Sequence, residues 1–152
     1  MKLIIHTGTN GPGFPILPHF GSNLSYQFRI GPEWFDGHLT EPDHYGLKLP
    51  AIGYFNYHKF GINSAIIDGG VWIFRYYFNG QLNQFDEFEI QLEPDRWYRV
   101  VQSTKPLAWW FDGKLVHSEN MNISGCWMTP PYLGKKKVAV ASRDLKIEIE
   151  KI

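Results

Sequence analysis

The chain has 152 residues, with equal numbers of acidic and basic side chains and therefore no formal net charge at neutral pH. This length fits a single domain over residues 1–152, with a core large enough to fold without disulfides or structural metals. The balanced charge excludes the broad basic surface of a nucleic-acid-binding domain. The one cysteine, Cys126, excludes an internal disulfide. Because the net charge is zero, a charged ligand must be bound by a local patch of charge.

Apolar runs along the chain are short. The N-terminal sequence MKLIIHTGTNGPG holds three consecutive apolar residues before polar, glycine and proline residues, which is too few for a signal peptide. No stretch approaches the roughly 20 apolar residues that cross a membrane as a helix. We expect the protein to be made in the cytoplasm without a signal peptide, to be cytoplasmic or associated with a virus particle, and not to insert into a membrane.

Alternation of apolar and polar residues with a period of two recurs along the chain and predicts β-strands. In chain order the predicted strands cover residues 25–30, 51–58, 62–67, 71–78, 85–92, 96–103 and 145–152. Asn79-Gly80 and Asp112-Gly113 predict hairpins, because both central residues of a type I′ turn need positive φ. Many strands separated by Gly and Pro turns, without a capped helical pattern, predict an all-β fold. We expect an antiparallel two-sheet jelly-roll sandwich.

The predicted strand at 71–78 has one aromatic face and one polar face. Trp72, Phe74, Tyr76 and Phe78 alternate with Arg75 and Tyr77. We expect the first set to fill the core and the second set to face outward. The last predicted strand likewise sets a dry side of Leu145, Ile147, Ile149 and Ile152 against charged residues.

The outward positions of several predicted strands together form a candidate site for an acidic saccharide. Arg and Lys bind carboxylate or sulfate groups, and tyrosine rings stack on sugar rings. The candidate glycan-binding residues are Arg29, Lys48, Tyr54, Asn56, His58, Ser64, Arg75 and Tyr77. The alternative is that their strands are not neighbours and that these are ordinary surface residues.

Other kinds of site are weakly signalled. The six histidines form no metal-binding pair and the chain has no CxxC motif, so we expect no metal site and no cofactor. Carboxylates from separate loops could still converge on a structural calcium ion. There is no nucleophile elbow, and Glu87 and Glu89 are better explained as solvated residues than as a hydrolase pair.

A set of short motifs gives the chain a family resemblance over most of residues 25–152. The motifs are Trp34-Phe35-Asp36, Tyr45-Gly46-Leu47-Lys48-Leu49-Pro50, Arg96-Trp97-Tyr98-Arg99-Val100, Trp110-Phe111-Asp112-Gly113-Lys114-Leu115-Val116, and Tyr132-Leu133-Gly134 followed by residues 144–152. In this order they resemble the concanavalin A-like lectin/glucanase (LamG-like) superfamily. Within it, the pattern is most similar to the alginate and glucuronan lyases of polysaccharide lyase family 14.

The resemblance to these lyases implies a set of catalytic residues that consists of a Lys, a Ser-x-Arg motif and a Tyr-x-Tyr motif. Lys48 matches the lysine that neutralises the uronate carboxylate, and Ser64 matches the serine. Ile66 stands where the arginine would be. Tyr77 matches one proton-transferring tyrosine, and Arg75 stands in place of the other. Loss of the arginine removes a bidentate carboxylate clamp, so the resemblance favours binding without turnover.

Three functional hypotheses follow from the sequence. The first is a carbohydrate-binding jelly roll for a polymeric, acidic glycan such as a polysaccharide or cell-surface glycan. The second is a β-eliminating polysaccharide lyase using Lys48, Ser64 and Tyr77. The third is a decoration or fibre protein of a virus particle, assembled as a homo-oligomer with a structural or adhesive role.

Overall fold

The computed structural model describes residues 2–5, 17–18, 23–35, 47–53, 60–67, 69–78, 81–84, 89–120, 122, 127–129, 132–133 and 144–152. Within these ranges the chain forms β-strands and one short 3-10 helix, Pro32–Phe35, and no α-helix. No helix in the described ranges is long and apolar enough to cross a membrane.

The strands are numbered in chain order. They are β1 (Lys2–Ile5), β2 (Leu17–Pro18), β3 (Asn23–Ile30), β4 (Leu47–Lys48), β5 (Ala51–Gly53), β6 (Phe60–Ile67), β7 (Val71–Phe78), β8 (Gln81–Gln84), β9 (Ile90–Gln91), β10 (Tyr98–Thr104), β11 (Leu107–Phe111), β12 (Lys114–Ser118), β13 (Trp127–Thr129), β14 (Tyr132–Leu133) and β15 (Leu145–Lys151).

Two large antiparallel sheets dominate the fold. The first sheet has the strand order β1-β15-β3-β10-β11-β12, and the second has the order β14-β4-β6-β7-β8, with β9 paired to β7. A third, smaller sheet has the order β2-β13-β5. All strand pairs in the described ranges are antiparallel, and strands distant in sequence are neighbours in each sheet. The predicted all-β jelly-roll sandwich is confirmed.

The core lies between the two large sheets and is built largely of aromatic rings. Trp72 of β7 meets Phe111 of β11 with ring centroids 4.3 Å apart. Phe74 meets Trp109 at 5.0 Å. Such ring pairs stabilise a fold beyond the area that they bury. Trp72 and Phe74 are each 1% exposed, as the period-two pattern of this strand predicts, while the side chains of Tyr76 and Phe78 lie outside the described residues.

The hairpin between β11 and β12 has the predicted turn. Asp112 has φ 47° and Gly113 has φ 79°, which is the pair of positive φ values that a type I′ turn requires. The residues of the other predicted turn, Asn79-Gly80, lie outside the described residues. Their flanking strands nevertheless pair, with Phe78 opposite Gln81.

Three strand predictions need correction or completion. Of the strand predicted at 51–58, only Ala51–Gly53 is described, and it is a strand. Of the strand predicted at 85–92, residues 89–92 are described, and only Ile90–Gln91 form a strand. Glu89 is exposed, and Glu87 lies outside the described residues. Ile152 was predicted on the dry side of the last strand, but it is 55% exposed. Register explains this, because Lys151 rather than Ile152 continues the alternation of Leu145, Ile147 and Ile149 opposite β3.

Candidate functional site

The position of Lys48 is fixed by the two leucines around it. Leu47 pairs with Ile66, which is fully buried, and the backbone N–H of Leu49 donates to the carbonyl of Ser64 at 2.8 Å. Leu49 itself is 1% exposed and belongs to the core. Successive residues of a strand lie on opposite faces of the sheet. Position 48 therefore falls on the face of the second sheet that lies away from the core.

Strand register brings further polar residues to that same face. Residues directly opposite each other in an antiparallel pair share a face, and Lys48 is opposite Ala65, which is opposite Ile73. Two and four residues further along β7 come Arg75 and Tyr77. We call this surface the Lys48 face; its polar positions are Lys48, Asn63, Arg75, Tyr77, Gln84 and Tyr132.

Three of these positions were not predicted from the sequence. Asn63 is opposite Arg75, Gln84 is opposite Arg75 on the other side, and Tyr132 is opposite Lys48. Asn63 could have been found, because it follows the apolar Ile62 in the strand predicted at 62–67. Gln84 could have been found as well, because a two-residue turn at Asn79-Gly80 places residue 84 opposite residue 75. Tyr132 depends on long-range pairing, for which the sequence carries no local signal.

The two cationic positions of the Lys48 face are well separated along the sheet. Neighbouring strands lie about 4.8 Å apart and successive residues rise about 3.3 Å, so the Cα atoms of Lys48 and Arg75, two strands and two residues apart, are separated by about 12 Å. The face is not open throughout. Ala65 and Ile73, which lie between the two cations, are 2% and 3% exposed.

Ser64 does not belong to this face. Its hydroxyl accepts a hydrogen bond from the Trp72 indole N–H at 2.6 Å, and the residue is 3% exposed. Ile66, two residues further along β6, is fully buried as well. The Ser-x-Arg motif that the resemblance assigns to residues 64–66 therefore lies on the core side of the sheet. This corrects the inclusion of Ser64 among the glycan-binding and lyase residues.

A buried tyrosine of the opposite sheet approaches the same serine. Tyr26 of β3 is 2% exposed, and its hydroxyl makes no hydrogen bond of good geometry with the described residues. Burial raises the pKa of the Tyr26 phenol well above its usual value, because the charged form loses hydration. The neighbouring Ser64 hydroxyl opposes this rise by a smaller amount. These groups are parts of the core and do not face a ligand.

Arg29 lies on the first sheet and not beside Lys48. Its Nε donates to the Glu148 carboxylate at 2.7 Å, and its guanidinium lies 4.7 Å from the centre of the Trp97 ring. The hydrogen bond to Glu148 is the main cause of its raised pKa. The prediction that Arg29 shares one sheet with Lys48 and Arg75 is therefore wrong, since the two groups lie on opposite outer faces of the sandwich.

The remaining predicted residues are not tested by the structure. Tyr54, Asn56 and His58 lie outside the described residues. Within the described ranges, no group of three His, Cys, Asp or Glu side chains is placed to hold a metal ion.

Comparisons with known proteins support the fold. No protein-family model matches the sequence, and no curated protein matches it. The structure of alginate lyase Aly36B superposes with a TM-score of 0.61 at 10% identity, covering 99% of this chain and 78% of that one. A double mutant of that enzyme in complex with alginate trisaccharide superposes with a TM-score of 0.54 at 11% identity, with the same coverage. The carbohydrate-binding module CBM66 from Bacillus subtilis gives 0.42 at 11% identity, covering 98% and 91% of the two chains. At 10–11% identity, the two superpositions on the alginate lyase establish a shared fold and no more.

Proposed function

We propose that this chain is a carbohydrate-binding jelly roll that holds a polymeric, acidic glycan on the Lys48 face without cleaving it. The observation that carries the proposal is the register of β4, β6 and β7, which brings Lys48 and Arg75 to one face together with Tyr77. Two cations on a surface of a chain with no net charge form a local positive patch, as binding of an anionic ligand requires.

The residue types on this face match the chemistry of a uronate polymer. Lysine and arginine bind carboxylates, and arginine can do so with two parallel hydrogen bonds. The amides of Asn63 and Gln84 both donate and accept, which suits sugar hydroxyls. Tyrosine offers an apolar ring and a polar tip. The separation of about 12 Å between the Cα atoms of Lys48 and Arg75 favours an extended chain over a single small anion.

Fold similarity is consistent with the proposal. The sandwich of alginate lyase Aly36B, seen in mutant form with alginate trisaccharide, has the same architecture as this chain. Alginate is a polymer of uronic acids, so a fold of this shape can present a surface to an acidic saccharide. Assembly on a virus particle has no such observation in its favour and stays a prediction.

A β-eliminating lyase is the second candidate, and the same fold similarity favours it. It would need a general base and a group that neutralises the uronate carboxylate. Tyr77 and Lys48 could supply these, since both lie on the Lys48 face. Ser64 and Ile66 are buried in the core, so the remainder of the implied catalytic set is missing from this surface. This loss favours binding without turnover.

Binding can be tested by titrating the protein with alginate and with a neutral glucan. We expect measurable affinity for alginate only. Lys48→Ala and Arg75→Ala should each weaken it by about 1.5–3 kcal/mol, the range for hydrogen bonds to charged groups. Affinity should fall with added salt, because exposed charges are screened over about 8 Å at physiological ionic strength. Equal affinity for both polymers, or unchanged affinity in both variants, would reject the proposal.

Turnover is tested separately by following the absorbance of unsaturated uronate during incubation with alginate or glucuronan. A binder should give no increase. A lyase should give an increase that Tyr77→Phe abolishes with its proton-transfer group, while a binder with this substitution should retain its affinity because the ring remains.

A further inference from the structure

The outer face of the first sheet carries a second cluster of ligand-binding residue types, far from the Lys48 face. Its residues line an open cavity of about 280 Å³. We call it the Trp110 cluster; it consists of Asn23, Arg99, Val101, Ser103, Trp110 and Gly113. All of them lie in the described part of the chain, so their side-chain positions are known.

Strand register explains why these residues meet. On β3, β10 and β11, Asn23 is opposite Ser103 and Val101 is opposite Trp110. The residues between them, including Val100, Gln102 and Trp109, are buried on the core side. The residues of the cluster therefore lie on three neighbouring strands of the first sheet, β3, β10 and β11, and on the turn at Gly113.

Arg99 is the charged member of the cluster, and its guanidinium has no partner among the residues that the structure describes. Of the three arginines whose side chains are described, Arg29 pairs with Glu148 and Trp97, and Arg96 pairs with Glu93 at 3.3 Å and with the Tyr98 ring. Arg99 is exposed, and in the described ranges its guanidinium makes no hydrogen bond, ion pair or ring contact. It is thus available to bind an anion.

The nearest acidic residue in the turn does not neutralise this cation directly. The Asp112 carboxylate accepts the backbone N–H of Arg99 at 2.8 Å, while its own N–H donates to the Arg99 carbonyl at 2.9 Å. Its position is set by the hairpin and not by the guanidinium. A carboxylate on a ligand would meet Arg99 without displacing an existing ion pair.

The neighbours of Arg99 supply both apolar and polar contacts. Trp110 and Val101 are half-buried and offer apolar surface. The Ser103 hydroxyl donates to the Pro106 carbonyl, so its oxygen is left to accept from a ligand. The Asn23 amide is exposed and can donate or accept. The cavity thus combines a group that binds carboxylate (Arg99), an apolar surface (Trp110) and two groups that hydrogen-bond hydroxyls (Ser103 and Asn23). A uronic acid ring carries a carboxylate, an apolar face and hydroxyls.

We propose that the Trp110 cluster is a second saccharide site, which binds one uronic acid residue of an acidic glycan. Its indole takes the apolar face of the ring, and Arg99 takes the carboxylate. The cavity volume lies just below the usual range of about 300–1,000 Å³ for small-molecule sites, as expected for a ligand of one sugar ring. The two sites occupy opposite outer faces, so a polymer bound at one leaves the other free for a second chain.

The test is a protein-observed NMR titration with alginate trisaccharide, carried out on the Lys48→Ala/Arg75→Ala double variant. The proposed primary site is disabled in this protein, so failure of that site does not affect the result. The Trp110 indole N–H signal is assigned by its loss in Trp110→Phe. This indole signal should shift on titration. Arg99→Ala should weaken the fitted affinity about tenfold or more, because a hydrogen-bonded contact with the carboxylate is lost.

Two controls make the outcome decisive. Arg96→Ala removes another exposed arginine, which lies just before β10 and outside the cluster, and should leave the affinity unchanged. Carboxyl-reduced alginate trisaccharide, which lacks the anionic group, should bind at least about tenfold more weakly than the parent trisaccharide. The proposal is overturned if the Trp110 signal does not move, if Arg99→Ala binds like the double variant, or if the reduced trisaccharide binds equally well. Preserved signal dispersion in each variant checks that the fold is intact.

Discussion

The Ser64 hydroxyl accepts the indole N–H of Trp72 at 2.6 Å, and this bond joins β6 to β7 on the core side of the second sheet. A buried indole N–H needs an acceptor, since leaving it without one costs its full desolvation energy. Ser64 of β6 thus supplies the hydrogen-bond acceptor for the buried indole of Trp72 in the next strand. In the register of these two strands, Asn63 and Arg75 are opposite each other and lie on the other face of the sheet.

Ser64→Ala should destabilise the protein by about 1–3 kcal/mol, because it leaves the Trp72 N–H buried without an acceptor. Chemical denaturation measures this difference in the free energy of unfolding. Glycan affinity should not change. In a Trp72→Phe background, where there is no N–H to satisfy, the same serine substitution should cost clearly less. Equal costs in the two backgrounds would mean that the hydrogen bond does not stabilise the fold.

The buried Tyr26 phenol predicts a loss of stability at alkaline pH. Its pKa is raised in the folded state, so above pH 10 the unfolded chain releases this proton while the folded chain keeps it. The stability associated with this group is present below about pH 10 and falls above it, by at most about 1.4 kcal/mol per pH unit. Urea denaturation at several pH values measures the slope. Tyr26→Phe should flatten it, and an identical slope in that variant would contradict the prediction.

The turn between β6 and β7 provides a matched pair of glycine substitutions. Gly69 and Gly70 both have positive φ, at 85° and 73°, so alanine at either site is strained by roughly 1–2 kcal/mol. A Cβ on Gly69 meets open space, whereas a Cβ on Gly70 would lie 2.3 Å from the Phe35 ring. Gly70→Ala should therefore lower the melting temperature more than Gly69→Ala. Equal melting temperatures would show that Phe35 moves aside without cost.

The hairpin at Asp112 depends on an acceptor and on a positive φ. Asp112 has φ 47°, and its Oδ1 accepts the Arg99 backbone N–H. Asp112→Ala should cost about 1–2 kcal/mol in unfolding free energy, because it loses the bond and disfavours the left-handed conformation. Asp112→Asn keeps an acceptor and tolerates that conformation, so it should cost much less. A similar loss of unfolding free energy in both variants would mean that the negative charge of Asp112, and not its acceptor or its φ, stabilises the hairpin.

The architecture was predictable because it depends on local patterns. Two local patterns can be recognised from consecutive residues, namely the alternation around Trp72 and Phe74 and the Asp112-Gly113 turn. The structure agrees with both. Arg29 was grouped with Lys48 because alternation gives the face of a strand but not the sheet to which the strand belongs. Only long-range pairing, such as that of β3 with β15 and β10, determines that Arg29 lies on the first sheet.

The candidate site was only partly predictable for the same reason. Lys48, Arg75 and Tyr77 were found from their own strands, and register brings them to one face. Ser64 was misplaced because a hydroxyl is compatible with either face, and its buried role depends on an indole eight residues away. The pairing of Gln84 with Arg75 follows from the predicted Asn79-Gly80 turn. The pairing of Tyr132 with Lys48 is a long-range contact, for which the linear sequence has no marker.

The most direct test of the proposed glycan-binding face compares two arginines in one titration with alginate. Arg75 lies on the Lys48 face, and Arg29 lies on the opposite outer face in an ion pair with Glu148. We predict that Arg75→Ala weakens affinity about tenfold or more, while Arg29→Ala binds as the parent does. If Arg75→Ala binds like the parent, or if Arg29→Ala loses as much affinity, the Lys48 face is not the glycan-binding surface.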